Sequence, residues 1–65
     1  MTHMIGTTFW AYSAAGRRAY RLQVEALDHA SGTMRCRAIV SRAVEYWTVD
    51  DIRANRDADR KRRAA

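Results

Sequence analysis

Two stretches of this chain alternate apolar and polar residues with a period of two, and they flank a short polar segment. In residues 18–27, RAYRLQVEAL, Tyr20, Leu22, Val24 and Ala26 share one parity. In residues 33–40, TMRCRAIV, Met34, Cys36, Ala38 and Val40 share one, with Arg35, Arg37 and Ile39 on the other. Period-two patterning belongs to half-buried β-strands. The intervening DHASG is rich in turn formers and holds Gly32, which adopts left-handed backbone without a Cβ penalty. The pattern therefore predicts a β-hairpin. Pairing Leu27 with Thr33 sets Val24 opposite Cys36, Leu22 opposite Ala38 and Tyr20 opposite Val40 on the inner face. Glu25 then meets Arg35, Gln23 meets Arg37 and Arg21 meets Ile39 outside. A slip of one residue would set apolar against polar throughout, so the pattern specifies the register.

The flanking segments extend the β reading. TTFWAYS at 7–13 is rich in strand formers and AAGR at 14–17 offers a turn, while VEYWTV at 44–49 reads as a further strand. Thr48 and Asp51 form a T-x-x-D pattern that caps a short helical turn over VDDIR, with Val49 and Ile52 directed inward. Beyond Ile52 there is no large apolar residue. ANRDADRKRRAA thus reads either as a frayed helix supported by i,i+4 charge pairs or as a mobile tail, and the mobile tail is the expectation. The predicted organisation is a flexible start over 1–6, a small mainly-β domain over 7–54 and a basic tail over 55–65.

With 65 residues the chain has room for one thin core. Its single cysteine, Cys36, forms no internal disulfide. No apolar run spans a bilayer and MTHMIGTTFW does not resemble a secretory signal, so a cytoplasmic protein is expected. The His3–Met4 junction is consistent with a cloning scar.

The succession of a short aromatic strand, a long strand after GRR, a turn at LDHASG, a third strand, YWTV and a closing VDDIR resembles the small Src-homology-3-like barrels, Tudor-like or chromo-type members above all. The resemblance spans residues 7–54. It implies an antiparallel barrel of four to five strands with a short C-terminal helical turn. Tudor-like domains capture methylated lysine or arginine in an aromatic cage, and Trp10, Tyr12, Tyr46 and Trp47 are the corresponding candidates.

The net charge of +5 favours anionic partners. Residues 1–16 carry no charged side chain of Asp, Glu, Lys or Arg; 17–49 carry six arginines against three carboxylates, and 50–65 six cations against four. Arginine outnumbers lysine 11 to 1, which suits bidentate phosphate contacts and equally matches the codon usage of a GC-rich genome. Catalysis finds no support. His3 and His29 have no nucleophile placed beside them, Cys36 falls on an inward parity, no Cys/His set has metal-ligand spacing, and Gly6, Gly16 and Gly32 make no phosphate-binding loop. No cofactor is expected.

The predicted function is nucleic-acid binding, to DNA or RNA. Arg21, Arg35, Arg37 and Arg42 on the body and Arg60, Lys61, Arg62 and Arg63 in the tail are the expected phosphate contacts. Trp10, Tyr12 and Trp47 are the expected stacking platform, unless the tryptophans serve the core. The alternative is a protein-interaction module that engages a peptide or a second subunit through an edge strand and the aromatic patch.

Overall fold

The computed structural model describes residues 4–64, with side chains described through Arg62. Four strands, β1 (Thr8–Tyr12), β2 (Arg18–Asp28), β3 (Thr33–Ala38) and β4 (Val44–Trp47), precede one helix, α1 (Val49–Ala64). The strands form an antiparallel meander in the order β1-β2-β3-β4, with β1 and β4 at opposite edges. The sheet is therefore not closed into a barrel, contrary to the expectation. In place of a closing strand, α1 packs against β1, where Arg56 hydrogen-bonds Thr7 Oγ1 and the Thr8 carbonyl.

The hairpin forms as predicted through its middle: Leu22 faces Ala38, Gln23 faces Arg37 and Val24 faces Cys36. The register then shifts between Val24 and Ala26, so that Ala26 meets Arg35 and Leu27 meets Met34. The extra residue is Glu25. Past this bulge the inward parity changes: Leu27 packs against the core beside fully buried Met34, and Ala26 gives up the inward role expected for it. At the turn the Gly32 amide donates to the Asp28 carbonyl at 2.9 Å, and Gly32 takes φ 71, which a side chain would strain.

At its other end β3 is shorter than the alternation implies. The Ile39 amide still donates to the Arg21 carbonyl, but Arg42 N to Ala38 O and Ala38 N to Ala43 O close a tight turn there. Val40, expected inward opposite Tyr20, is 92% exposed, and Tyr20 is 38% exposed at the sheet's end.

The core consists of Met4, Phe9, Ala11, Leu22, Val24, Met34, Cys36 and Ile52, with Leu27, Trp47 and Val49 against it. Met4 belongs to the stretch expected to be a flexible start; residues 1–3 of that stretch, His3 included, lie outside the described residues. Burial of each large apolar side chain contributes about 1.5–3 kcal/mol.

The T-x-x-D cap forms as read, with the Asp51 amide donating to Thr48 Oγ1 at 3.1 Å and Asp50 and Asp51 at the positive helix end. The short turn expected there is only the start of a 16-residue helix. Ile52 anchors it in the core. Arg56, Asp59 and Arg62, spaced three or four residues apart beyond Ile52, then hold it to the sheet through polar contacts. This polar stripe takes the place of the missing apolar one, and it carries the helix through residues expected to form a tail.

Cys36 is fully buried, and loss of hydration pushes its thiol up to about 11. It is expected to react with thiol reagents orders of magnitude more slowly in native protein than in denaturant; labelling followed by mass spectrometry at several denaturant concentrations measures this.

Candidate functional site

The sheet has an inner face carrying Phe9, Leu22, Val24, Met34 and Cys36 and an outer face carrying Thr8, Trp10, Arg21, Gln23, Arg37 and Tyr46. On the outer face Trp10 is paired with Arg21. One step further along β1, a second register shift pairs Tyr12 with Arg18 and leaves Ala19 as the extra residue of β2. Arg18 and Arg21, three apart in sequence, consequently reach the same face, which strict alternation does not allow.

From the other side α1 contributes Arg56, Asp59 and Arg60. Asp59 Oδ1 accepts hydrogen bonds from Tyr12 Oη at 2.8 Å and Arg18 Nε at 2.7 Å, and Arg18 Nη2 lies 2.6 Å from it. This ion pair holds the Arg18 guanidinium over Trp10, 5.0 Å from the ring centroid. The hydrogen bond to Asp59 also raises the Arg18 pKa above its ordinary value, so the group stays charged. Arg21 is set by a 2.8 Å hydrogen bond from Nη2 to Thr8 Oγ1. The result is an open cleft of about 310 Å³ between β1, the start of β2 and α1, lined by Arg18, Arg21, Arg56 and Arg60, one carboxylate, Asp59, and the indole of Trp10. Four guanidiniums thus line the cleft with one carboxylate; Arg18 is paired with that carboxylate and Arg60 with Asp57 at 3.2 Å, and guanidiniums in such a cluster offer bidentate donors to oxygen acceptors.

Of the residues expected to bind, Arg21, Arg60 and Trp10 come together in this cleft. Arg35 and Arg37 share the outer face but flank Glu25: Arg37 Nε donates to Oε2 at 2.8 Å, and Arg35 Nε is 3.3 Å from Oε1, which is shielded from solvent and makes no hydrogen bond. Arg37 also donates to the Arg42 carbonyl at 3.0 Å, in a turn where Arg42 adopts left-handed backbone at φ 68. Lys61 is exposed, Arg62 reaches the Gly16 carbonyl at 3.4 Å, and the Arg63 side chain lies outside the described residues.

The structure divides the expected aromatic platform: Tyr12 Oη donates to Asp59, while Trp47 sits on the inner side, its ring edge-on to Phe9 with centroids 5.1 Å apart. Trp47 faces Met34 and Tyr46 faces Arg35, so the four cage candidates are divided between the two faces. The residues missed in the sequence are Arg18, Arg56 and Asp59. The spacing of Arg56 and Asp59 from Ile52, on the helix face Ile52 defines, is the signal that could have found the latter two.

Glu25 yields a pH prediction. The hydrogen bond from Arg37, chiefly, and the charges of Arg37 and Arg35 hold its carboxyl below the ordinary value of 4.5. A carboxyl lowered on folding stabilises the fold fully above its unfolded pKa, and that contribution is lost as pH falls from about 4.5 through the lower folded value. Native protein should therefore lose stability in this window more steeply than the Glu25→Gln variant, as denaturant midpoints across acid pH will measure.

Among the described residues no group of three or more His, Cys, Asp or Glu side chains could hold a metal ion, and no helix is long and apolar enough to cross a membrane. Compared with known proteins, the chain matches no family model, no curated protein and no solved structure.

Proposed function

We propose that this chain is a non-catalytic domain that binds single-stranded nucleic acid through the arginine cleft. The observation that carries the reading is the convergence of Arg18, Arg21, Arg56 and Arg60 with the Trp10 indole on one open surface. Guanidiniums neutralise successive phosphates, and an adjacent aromatic ring offers a stacking surface for any base. Guanidiniums that contact phosphates and a ring that stacks on any base carry little sequence information, so recognition is weakly sequence-specific. The test is binding of labelled single-stranded and duplex DNA and RNA over a salt series. The reading requires preference for single strands and a log–log salt slope of about −0.7 per phosphate contacted.

The order of short strands ending in a helical segment remains the ground for the Tudor-like resemblance, and we extend it to fold kinship only. A methyl-lysine or methyl-arginine cage is not proposed, because Trp10 and Trp47 lie on opposite faces. A second reading, a protein-interaction module, is favoured by one observation: β4 is an edge strand with Val44 and Tyr46 exposed, the form an added strand would engage. Light scattering on the same samples separates the two.

A further inference from the structure

A second hollow, of about 720 Å³, opens beside the cleft and shares two residues with it, Trp10 and Arg21. Its other walls are mostly apolar, with Ala19, Tyr20, Ile39 and Val40 prominent among them. Its one carboxylate, Glu45, accepts from Tyr20 Oη at 2.7 and 2.8 Å and from Trp47 Nε1 at 3.0 Å. The hydrogen bond to Glu45 also pushes the Tyr20 hydroxyl up to about 12, so the phenol stays neutral and keeps donating to the carboxylate. A basic cleft and an apolar hollow with a shared aromatic wall match the two halves of a nucleotide, an anionic phosphate joined to a flat, weakly polar heterocycle.

We infer that the hollow bounded by Trp10, Tyr20, Ile39 and Val40 receives the base of a nucleotide whose phosphate lies in the arginine cleft. This deepens the nucleic-acid reading and rests on it. Arg18 lies over the Trp10 ring from the cleft and Trp10 also lines the hollow, so the indole is the aromatic surface that a base in the hollow would meet. Continuity with the cleft selects this occupant over a second copy of the chain. A second copy brings another net charge of +5 toward Arg21 and the cleft arginines, whereas a nucleotide brings the opposite sign.

The experiment compares the full chain's affinity for oligothymidine and for an abasic deoxyribose-phosphate oligomer of equal length, by fluorescence anisotropy over a salt series. The abasic oligomer should bind about tenfold or more weakly at every salt concentration while keeping the same slope, since stacking is lost and phosphate contact is not. Ile39→Ser with Val40→Ser, at two exposed positions, should shrink that difference and leave the slope unchanged, with circular dichroism establishing that the variant is folded. Equal affinity for both oligomers with a full salt slope overturns the base site and leaves the cleft reading standing. Absence of salt-dependent binding to either overturns both. A concentration-dependent dimer that the Ile39→Ser, Val40→Ser variant abolishes assigns the hollow to a second copy and overturns the inference as well.

Discussion

Replacing Arg21 and Arg60 together with alanine should weaken binding to single-stranded nucleic acid about 100-fold, at roughly tenfold for each charge-assisted contact, and flatten the log–log salt slope by about 1.4. Both side chains line the cleft, and neither is a principal support of the fold: Arg21 donates to Thr8 Oγ1, and Arg60 is largely exposed with a surface ion pair to Asp57 at 3.2 Å. Such exposed contacts contribute about 1 kcal/mol or less, so thermal unfolding should barely move. The Arg35→Ala, Arg37→Ala pair is the informative contrast. Those arginines already flank Glu25, and their loss should change affinity several-fold less than loss of the cleft pair. Equal losses from the two double variants would return the binding surface to the middle of the hairpin.

Ile52→Ala should lower stability by about 2–5 kcal/mol, the range for truncating a fully buried aliphatic side chain. In a domain of this size that corresponds to a fall in melting temperature of about 8 °C or more, with each kcal/mol worth about 4–8 °C. Because Ile52 anchors the helix that supplies Arg56, Asp59 and Arg60, the substitution should also dismantle the cleft. Binding is then lost together with the melting transition, whereas the Arg21, Arg60 variant loses binding alone. Melting curves and anisotropy on both variants separate the two effects.

The middle of the hairpin was legible because Leu22, Val24 and Cys36 are all fully buried, and a period of two leaves one register for them. Its bulge was not, because Glu25 continues the polar alternation and only the position of Leu27 betrays the change of parity. The same limit hid Arg18, which a register shift at Ala19 brings to the outer face. The segment after Ile52 reads as a tail because it offers no apolar stripe. Arg56 and Asp59 dock that segment by hydrogen bonds and an ion pair, and such a polar face has no hydrophobic period. The barrel expectation took four short strands to imply closure, but closure requires β1 and β4 to meet, and α1 covers β1 instead.

The strand order also bears on the route by which the chain folds. In a meander every strand pairs with its immediate successor, so each pairing step closes a short loop at small entropic cost, and the sheet should assemble quickly for a β structure. The helix is the exception. Its contacts with Thr7 and Tyr12 join residues 49 and 47 positions apart, nearly the whole chain. Docking of α1 onto β1 is thus the closure that must wait for the sheet, and beyond the buried Ile52 it rests on part-buried and exposed polar contacts that reopen at low cost. Amides late in α1 should exchange with solvent through a local opening, well before those of β2 and β3 exchange through global unfolding. The rim of the cleft is then also the last part of the molecule to form and the first to leave.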